Sequence, residues 1–138
     1  MAAPLTFRSM YRFRFLWRTL LACCVLAGAA HAQTGPRPSW GAIASIQNSY
    51  GYAYDQPTRD AAENAARARC DRAAGRPGAC VVRTSFDRAC AALATGNFGE
   101  WGAAIASASP DAGKAAAKQC NDHLPTEPCK VLVSVCSR

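Results

Sequence analysis

Apolar and polar positions divide the chain from Trp40 onward into short, well-punctuated stretches. Trp40 to Ile46 is a run of small and β-branched residues, and Asn48-Ser49 turns it into Tyr50-Gly51-Tyr52-Ala53-Tyr54. Strict alternation of large and small residues there is the mark of a half-buried strand. Pro57-Thr58 then opens a helix that runs to about Ala73, with Ala62, Ala66, Cys70 and Ala73 on one stripe and Asp60, Glu63, Asn64, Arg67 and Asp71 on the other. Gly75-Arg76-Pro77-Gly78 stops that helix and turns the chain. Two further strands, Cys80 to Phe86 and Ala89 to Thr95, lead through Gly96-Asn97-Phe98-Gly99 into a third, Trp101 to Ser107. Ser109-Pro110-Asp111 supplies a capping hydroxyl, a proline at the first helical position and an acid in the first turn. The second helix runs from there to about Cys120, with Ala112, Ala116 and Cys120 inward and Lys114 and Lys118 outward. Asn121 to Pro128 is loop, and Lys130 to Val135 is the last strand.

The order is strand, strand, helix, strand, written twice. Alanine-rich segments ending in Cys70 and Cys120 lie fifty residues apart. Each is followed by a loop and then a cysteine that opens a valine-rich run, Cys80-Val81-Val82 in one half and Cys129-Lys130-Val131-Leu132-Val133 in the other. Gly41-Ala42-Ile43-Ala44 and Ala91-Ala92-Leu93-Ala94 head the two halves. Two copies of one supersecondary unit account for this. The expected fold is α+β: two tandem strand-strand-helix-strand repeats forming a mainly antiparallel sheet with two helices on one side. Equivalent positions make equivalent bridges, so Cys70 pairs with Cys80 and Cys120 with Cys129, which leaves Cys90 for Cys136. The inward helix residues are small. The helices therefore approach the sheet closely but bury little apolar area per residue, and the disulfides make up the difference.

What precedes Trp40 sets the compartment. Arg8, Arg12, Arg14 and Arg18 lead without any acid into the apolar stretch Leu20 to Ala29, which closes on Ala30-His31-Ala32. This is the order of a secretory signal peptide, residues 1–32, cleaved after Ala32. The apolar run is well short of the ~20 residues that cross a bilayer, so no stable membrane span is expected after cleavage. Residues 33–39, with two prolines and a glycine, form a flexible lead-in, and 40–138 the disulfide-stapled domain. Cys23 and Cys24 depart with the signal, and the remaining six cysteines suit an oxidising, periplasmic or extracellular environment. The formal charge of +7 falls to +3 once four of the sixteen basic residues are removed. The remaining arginines are interleaved with acids rather than clustered on one face, which argues against nucleic acid as a partner.

Chemistry is sparse in what remains. His123 is the sole histidine after cleavage, set in a polar loop beside Asp122, and no serine sits in a nucleophile motif. Glu63, Glu100 and Glu127 show no spacing that pairs a general acid with a base. No C-x-x-C motif serves thiol catalysis, and no two of the six cysteines are close enough for a structural zinc site. No catalytic, cofactor-binding or metal-ligating residue is therefore assigned, and no cofactor is expected. Aromatic residues carry the stronger signal. Tyr50, Tyr52 and Tyr54 share one face of a strand, where burial would supply the bulk that the helices lack. The tip Gly96-Asn97-Phe98-Gly99-Glu100-Trp101 is expected to be exposed. Phe98, Glu100, Trp101, Tyr50, Tyr52 and Tyr54 are thus the candidate partner contacts.

Trp40-Gly41-Ala42-Ile43-Ala44, Gly51-Tyr52-Ala53-Tyr54, the alanine-rich segment ending at Cys70, Cys90-Ala91-Ala92-Leu93-Ala94 and the stretch from Cys129 to Cys136 resemble a family of exported bacterial proteins known as domain of unknown function 4189. The resemblance spans nearly all of residues 40–138. It implies export and paired cysteines, and no activity. The function expected from the sequence is a non-enzymatic binding module of the cell envelope, inhibitor-like or immunity-like, with an envelope or exported protein as partner. A small cell-wall hydrolase using His123 or Glu100, and a structural protein that holds glycan or peptidoglycan, are the rival readings.

Overall fold

A computed structural model describes Gly35 and residues 37–138. The proposed signal peptide and residues 33, 34 and 36 of the lead-in lie outside the described residues. The element order is β1 (Trp40–Ile46), β2 (Ser49–Gln56), α1 (Arg59–Ala74), β3 (Val81–Asp87), β4 (Cys90–Thr95), β5 (Trp101–Ala106), α2 (Ser109–Asn121) and β6 (Lys130–Cys136). The fold is α+β with two tandem strand-strand-helix-strand units. Each unit closes an antiparallel three-stranded sheet of its own, in the orders β2-β1-β3 and β5-β4-β6. The helix-on-one-side arrangement thus holds within each unit, while the six strands divide between two sheets.

Alternation along the central strands explains the layering. Ala42 and Ala44 of β1 turn toward α1 and pack with Ala62, Ala66 and Cys70, whereas Ile43 between them packs with Phe86 against Ala91 and Leu93 of the second sheet. Ala92 and Ala94 of β4 meet Ala112, Ala116 and Cys120 of α2. The two sheets therefore face each other, and each carries its helix on the outer side. Thr58 caps α1 by accepting from the Ala61 N–H at 3.1 Å, and Gly75 ends it in the left-handed conformation. Ala73 is exposed and Ala74 packs inward instead, because four-residue steps from Cys70 reach position 74. At α2 the cap residue is Ala108. The Ser109 hydroxyl is not a helix cap, because it is engaged with Ser134 of β6 at 2.7 Å.

Several details recur at equivalent positions of the two units. Gly51 of β2 lies so close to α1 that a Cβ there would fall far inside contact distance of the Cys70 nitrogen and the Ala66 carbonyl; Gly102 of β5 stands in the same relation to Cys120 and Ala116. Asp71, next to Cys70, accepts the N–H of Cys80 at 2.9 Å and of Gly78 at 2.8 Å. Asn121, next to Cys120, accepts the N–H of Cys129 at 2.8 Å. The residue after each helix cysteine thus holds the partner cysteine's backbone in place. The bridges are Cys70–Cys80, Cys120–Cys129 and Cys90–Cys136. On the loop-entropy model, the two short loops stabilise by about 3 kcal/mol each and the long one by about 4 kcal/mol.

The space between the sheets is filled in two ways. Gly41 opposes Phe86 across β1 and β3, and a Cβ on Gly41 would collide with the Phe86 ring. The matching pair in the second unit is Ala91 opposite Val135, a methyl added on one strand and bulk removed from the other. Edge strands are protected as well. The Arg69 guanidinium donates to the Tyr52 carbonyl on β2, and the Gln119 side-chain Oε1 accepts from the Ala103 N–H on β5 at 2.8 Å. Register shifts interrupt β3 and β6 at matching points, opposite Ile43/Ala44 and Leu93/Ala94.

A polar clasp joins the start of β1 to the residues after β6. Ser39, assigned by sequence to the lead-in, is 6 % exposed, and Ser137 is 2 % exposed. Their hydroxyls lie 3.0 Å apart; that of Ser39 donates to Asp55 at 2.9 Å, and that of Ser137 accepts the Asp55 N–H at 2.7 Å. Asp55 also accepts from the Arg138 N–H at 2.9 Å, while Asp87 receives the Ser39 N–H at 2.9 Å. Asp55 adopts φ 53 at the irregularity where β2 leaves its register with β1. Left-handed backbone is tolerated better by Asp than by most residues.

Gly51→Ala or Gly102→Ala is expected to destabilise the oxidised domain by about 3 kcal/mol or more, since helix backbone on the far side cannot yield; chemical denaturation measures it. Gly41→Ala alone is expected to cost about 2 kcal/mol and less when combined with Phe86→Val, a coupling that a double-mutant cycle reads directly. Backbone donors hold the carboxyls of Asp55 and Asp71 below the usual range, led by Arg138 for the first and Cys80 for the second, and the Ser85 and Arg59 side chains do so for Glu63. Their stabilisation is therefore fully present above the unfolded carboxylate pKa of about 4 and is lost as pH falls through the lowered folded values. Urea midpoints should drop below about pH 4, and Asp71→Asn should flatten that dependence.

Candidate functional site

The two strand hairpins point the same way. The Ser39 end of β1 lies beside Ser137, which follows β6 and bonds back to Ala89 just before β4. At the opposite end Arg83 of β3 bridges the sheets: its guanidinium donates to the Ser45 hydroxyl of β1 at 2.9 Å and stacks over the Trp101 ring of β5 at 4.3 Å. Desolvation lowers the Arg83 pKa, consistent with a cation drawn between two sheets. The Gln47-Asn48 turn and the 96–100 turn therefore sit at one end, and the clasp occupies the other.

The 96–100 turn is a built structure. The Gly96 N–H donates to the Glu100 carbonyl at 2.8 Å, and the Glu100 carboxylate receives the Phe98 N–H at 2.9 Å. Gly99 adopts φ 89, open to glycine and strained for other residues. The Asn97 amide donates to the Thr126 hydroxyl at 2.6 Å, tying the turn to the loop before β6. On this scaffold Phe98 is 76 % exposed. The tied loop presents Leu124, also strongly exposed, with φ 54. Trp101 is 37 % exposed with Arg83 against its ring. Glu100 thus serves as the internal brace of the turn.

The tyrosines of β2 do share one face, the one turned toward the second sheet, since Tyr52 opposes Ile43 and Tyr50 packs on the inter-sheet cluster. Burial holds only in part. Tyr50 is half-buried, whereas Tyr52 and Tyr54 are 36 % and 47 % exposed and stack on each other with centroids 6.4 Å apart. The reason lies in the alanine and leucine of β4: they fill the space between the sheets opposite β1, so that β2, an edge strand, carries its outer rings past the covered area. His123 is exposed in its loop, its N–H bonded to the Cys120 carbonyl. Among the described residues, no three His, Cys, Asp or Glu side chains gather as a metal would require, and no helix is long and apolar enough to cross a membrane.

Phe98 and Trp101 are thus brought to one end of the molecule, and Tyr52 and Tyr54 lie along one side of it. Sequence reasoning missed the contributions of Arg83 and Leu124. Arg83 looked like any charge in a strand, and its role depends on the second sheet. Leu124 sits in a polar loop that alternation does not reach. Comparison with curated proteins and with solved structures gives no match. A family model does match residues 40–136, and the chain belongs to the family described as Domain of unknown function (DUF4189).

Proposed function

We propose that this chain is exported by a signal peptide cleaved after Ala32, that its two units repeat one element, and that the oxidised domain is a non-enzymatic binding module docking on an envelope or exported protein. The observation that carries this reading is Phe98: a side chain 76 % exposed on a turn braced by Glu100 and Gly99 and tied to Thr126 through the Asn97 side chain. A large apolar group held out on a braced turn contributes nothing to its own fold and costs little entropy when a partner covers it. Trp101 and Leu124 extend the apolar area, and aromatic anchors of this kind dominate binding energy at protein interfaces. Inhibitor-like and immunity-like roles both suit a rigid domain with a prominent aromatic tip.

The stacked, exposed pair Tyr52 and Tyr54 favours a second reading, in which the domain holds a glycan of the envelope against the side of the molecule. The two readings use different residues. Oxidised domain cross-linked to its neighbours in the producing cell is expected to capture one protein reproducibly. Phe98→Ala should then lower affinity for that purified protein at least about tenfold with all three bridges retained, and Tyr54→Ala should leave it unchanged. Sedimentation with purified cell-wall sacculi that is lost in Tyr54→Ala and kept in Phe98→Ala would replace the first reading by the second. Cell-wall hydrolysis abolished by His123→Ala would overturn both.

A further inference from the structure

The three disulfides are not equally sealed. Cys70, Cys80, Cys120 and Cys129 are all buried between helix and sheet, and Asp71 and Asn121 hold the backbone of the second cysteine in each pair. Cys90–Cys136 borders the same cluster beneath α2 but links two strands rather than a helix and a strand. It joins directly opposed positions on β4 and β6; Cys90 is 5 % exposed, and Cys136 is, among the described residues, the one half-cystine that is only half-buried. Both line an open cavity of about 430 Å³, whose wall also includes Arg88, Ser107, Ser109 and Arg138. A cavity of this size admits a small peptide-like molecule. Two arginines on its wall favour an anion entering it and a thiolate leaving within it, although Arg88 also lies 3.6 Å from the Asp87 carboxylate.

We propose that Cys90–Cys136 is a thiol–disulfide exchange site for a small-molecule thiol that enters this cavity. The incoming thiolate attacks Sγ of Cys136, the more exposed residue of the pair, and forms a mixed disulfide with it. The Cys90–Cys136 bond breaks, and its electron pair leaves on Cys90 as a thiolate in the cavity that Arg88 and Arg138 also line. No net oxidation occurs, and attack by Cys90 on the mixed disulfide reverses the step and expels the small thiol. The other two bridges stay closed, so each helix remains fastened to its sheet while the link between β4 and β6 opens. This site is independent of the aromatic tip, at the other end of the molecule.

The test uses the oxidised protein in native buffer with reduced glutathione as the probe, quenched at intervals by alkylation and mapped by mass spectrometry. Glutathione is expected on Cys136 and the alkyl label on Cys90, with Cys70–Cys80 and Cys120–Cys129 intact. The rate should not change in urea below the unfolding transition, and it should fall several-fold in the Arg88→Asn/Arg138→Gln double variant. Asn suits the left-handed backbone of Arg88, and unchanged circular dichroism verifies the fold. Any of four results would overturn the proposal: no adduct, first opening at another bridge, a rate that tracks global unfolding, or reaction with a dithiol protein but not with glutathione.

Discussion

Helices α1 and α2 each rest on their sheet at a separation that only a residue without a side chain permits. Ala62, Ala66 and Cys70 of α1, and Ala112, Ala116 and Cys120 of α2, present nothing larger than a methyl or a thiol-derived sulfur to the strands. Gly51 and Gly102 complete the fit, because helix backbone occupies the space that a Cβ would need. Close packing of this kind gives dense contact but little apolar area per residue. A bridge from the last buried helix position to the following strand, Cys70–Cys80 or Cys120–Cys129, then limits the freedom of the unfolded chain where burial contributes least.

The bulk that the helices lack lies between the sheets. Ile43, Phe86 and Leu93 are the large side chains of that layer, and the Gly41–Phe86 and Ala91–Val135 pairs distribute similar volume in opposite ways across the two units. At one end the layer is closed by Ser39, Ser137 and Asp55; at the other, Arg83 ties Ser45 to Trp101. Large hydrophobic groups left to solvent lie on the turns, at Phe98 and Leu124, and on the outer strands, at Tyr52, Tyr54, Val81, Ile105, Val131 and Leu132.

Much of this was legible in the sequence because each unit is locally consistent. Alanines at helical spacing, the alternation around Tyr52 and the fifty-residue offset between Cys70 and Cys120 located the elements and the three pairings. Other features had no local signal. The division into two sheets depends on which strand edges meet, and a pattern of buried faces reads alike for one sheet or two. Gly51 looked like one more small residue in an alternating strand until the helix above it was placed. Asp71 read as part of the polar helix stripe and Asn121 as the start of a loop, although both accept the N–H of a cysteine nearly ten residues on. Ser39 appeared to belong to a flexible lead-in because its partners, Asp55, Asp87 and Ser137, are distant in sequence. At the tip, exposure of Phe98 was legible from the glycines around it, while the partial exposure of Tyr52 and Tyr54 required knowing that β2 is an edge.

The most direct test of this account is a non-reducing proteolytic map of the protein recovered after export. The account predicts a chain beginning at Gln33, with three cystine-linked peptide pairs, Cys70 with Cys80, Cys90 with Cys136 and Cys120 with Cys129. A bridge between the units, such as Cys70 with Cys120, or free thiols at the helix ends in freshly isolated protein would contradict it, because neither helix would then be fastened to its own sheet.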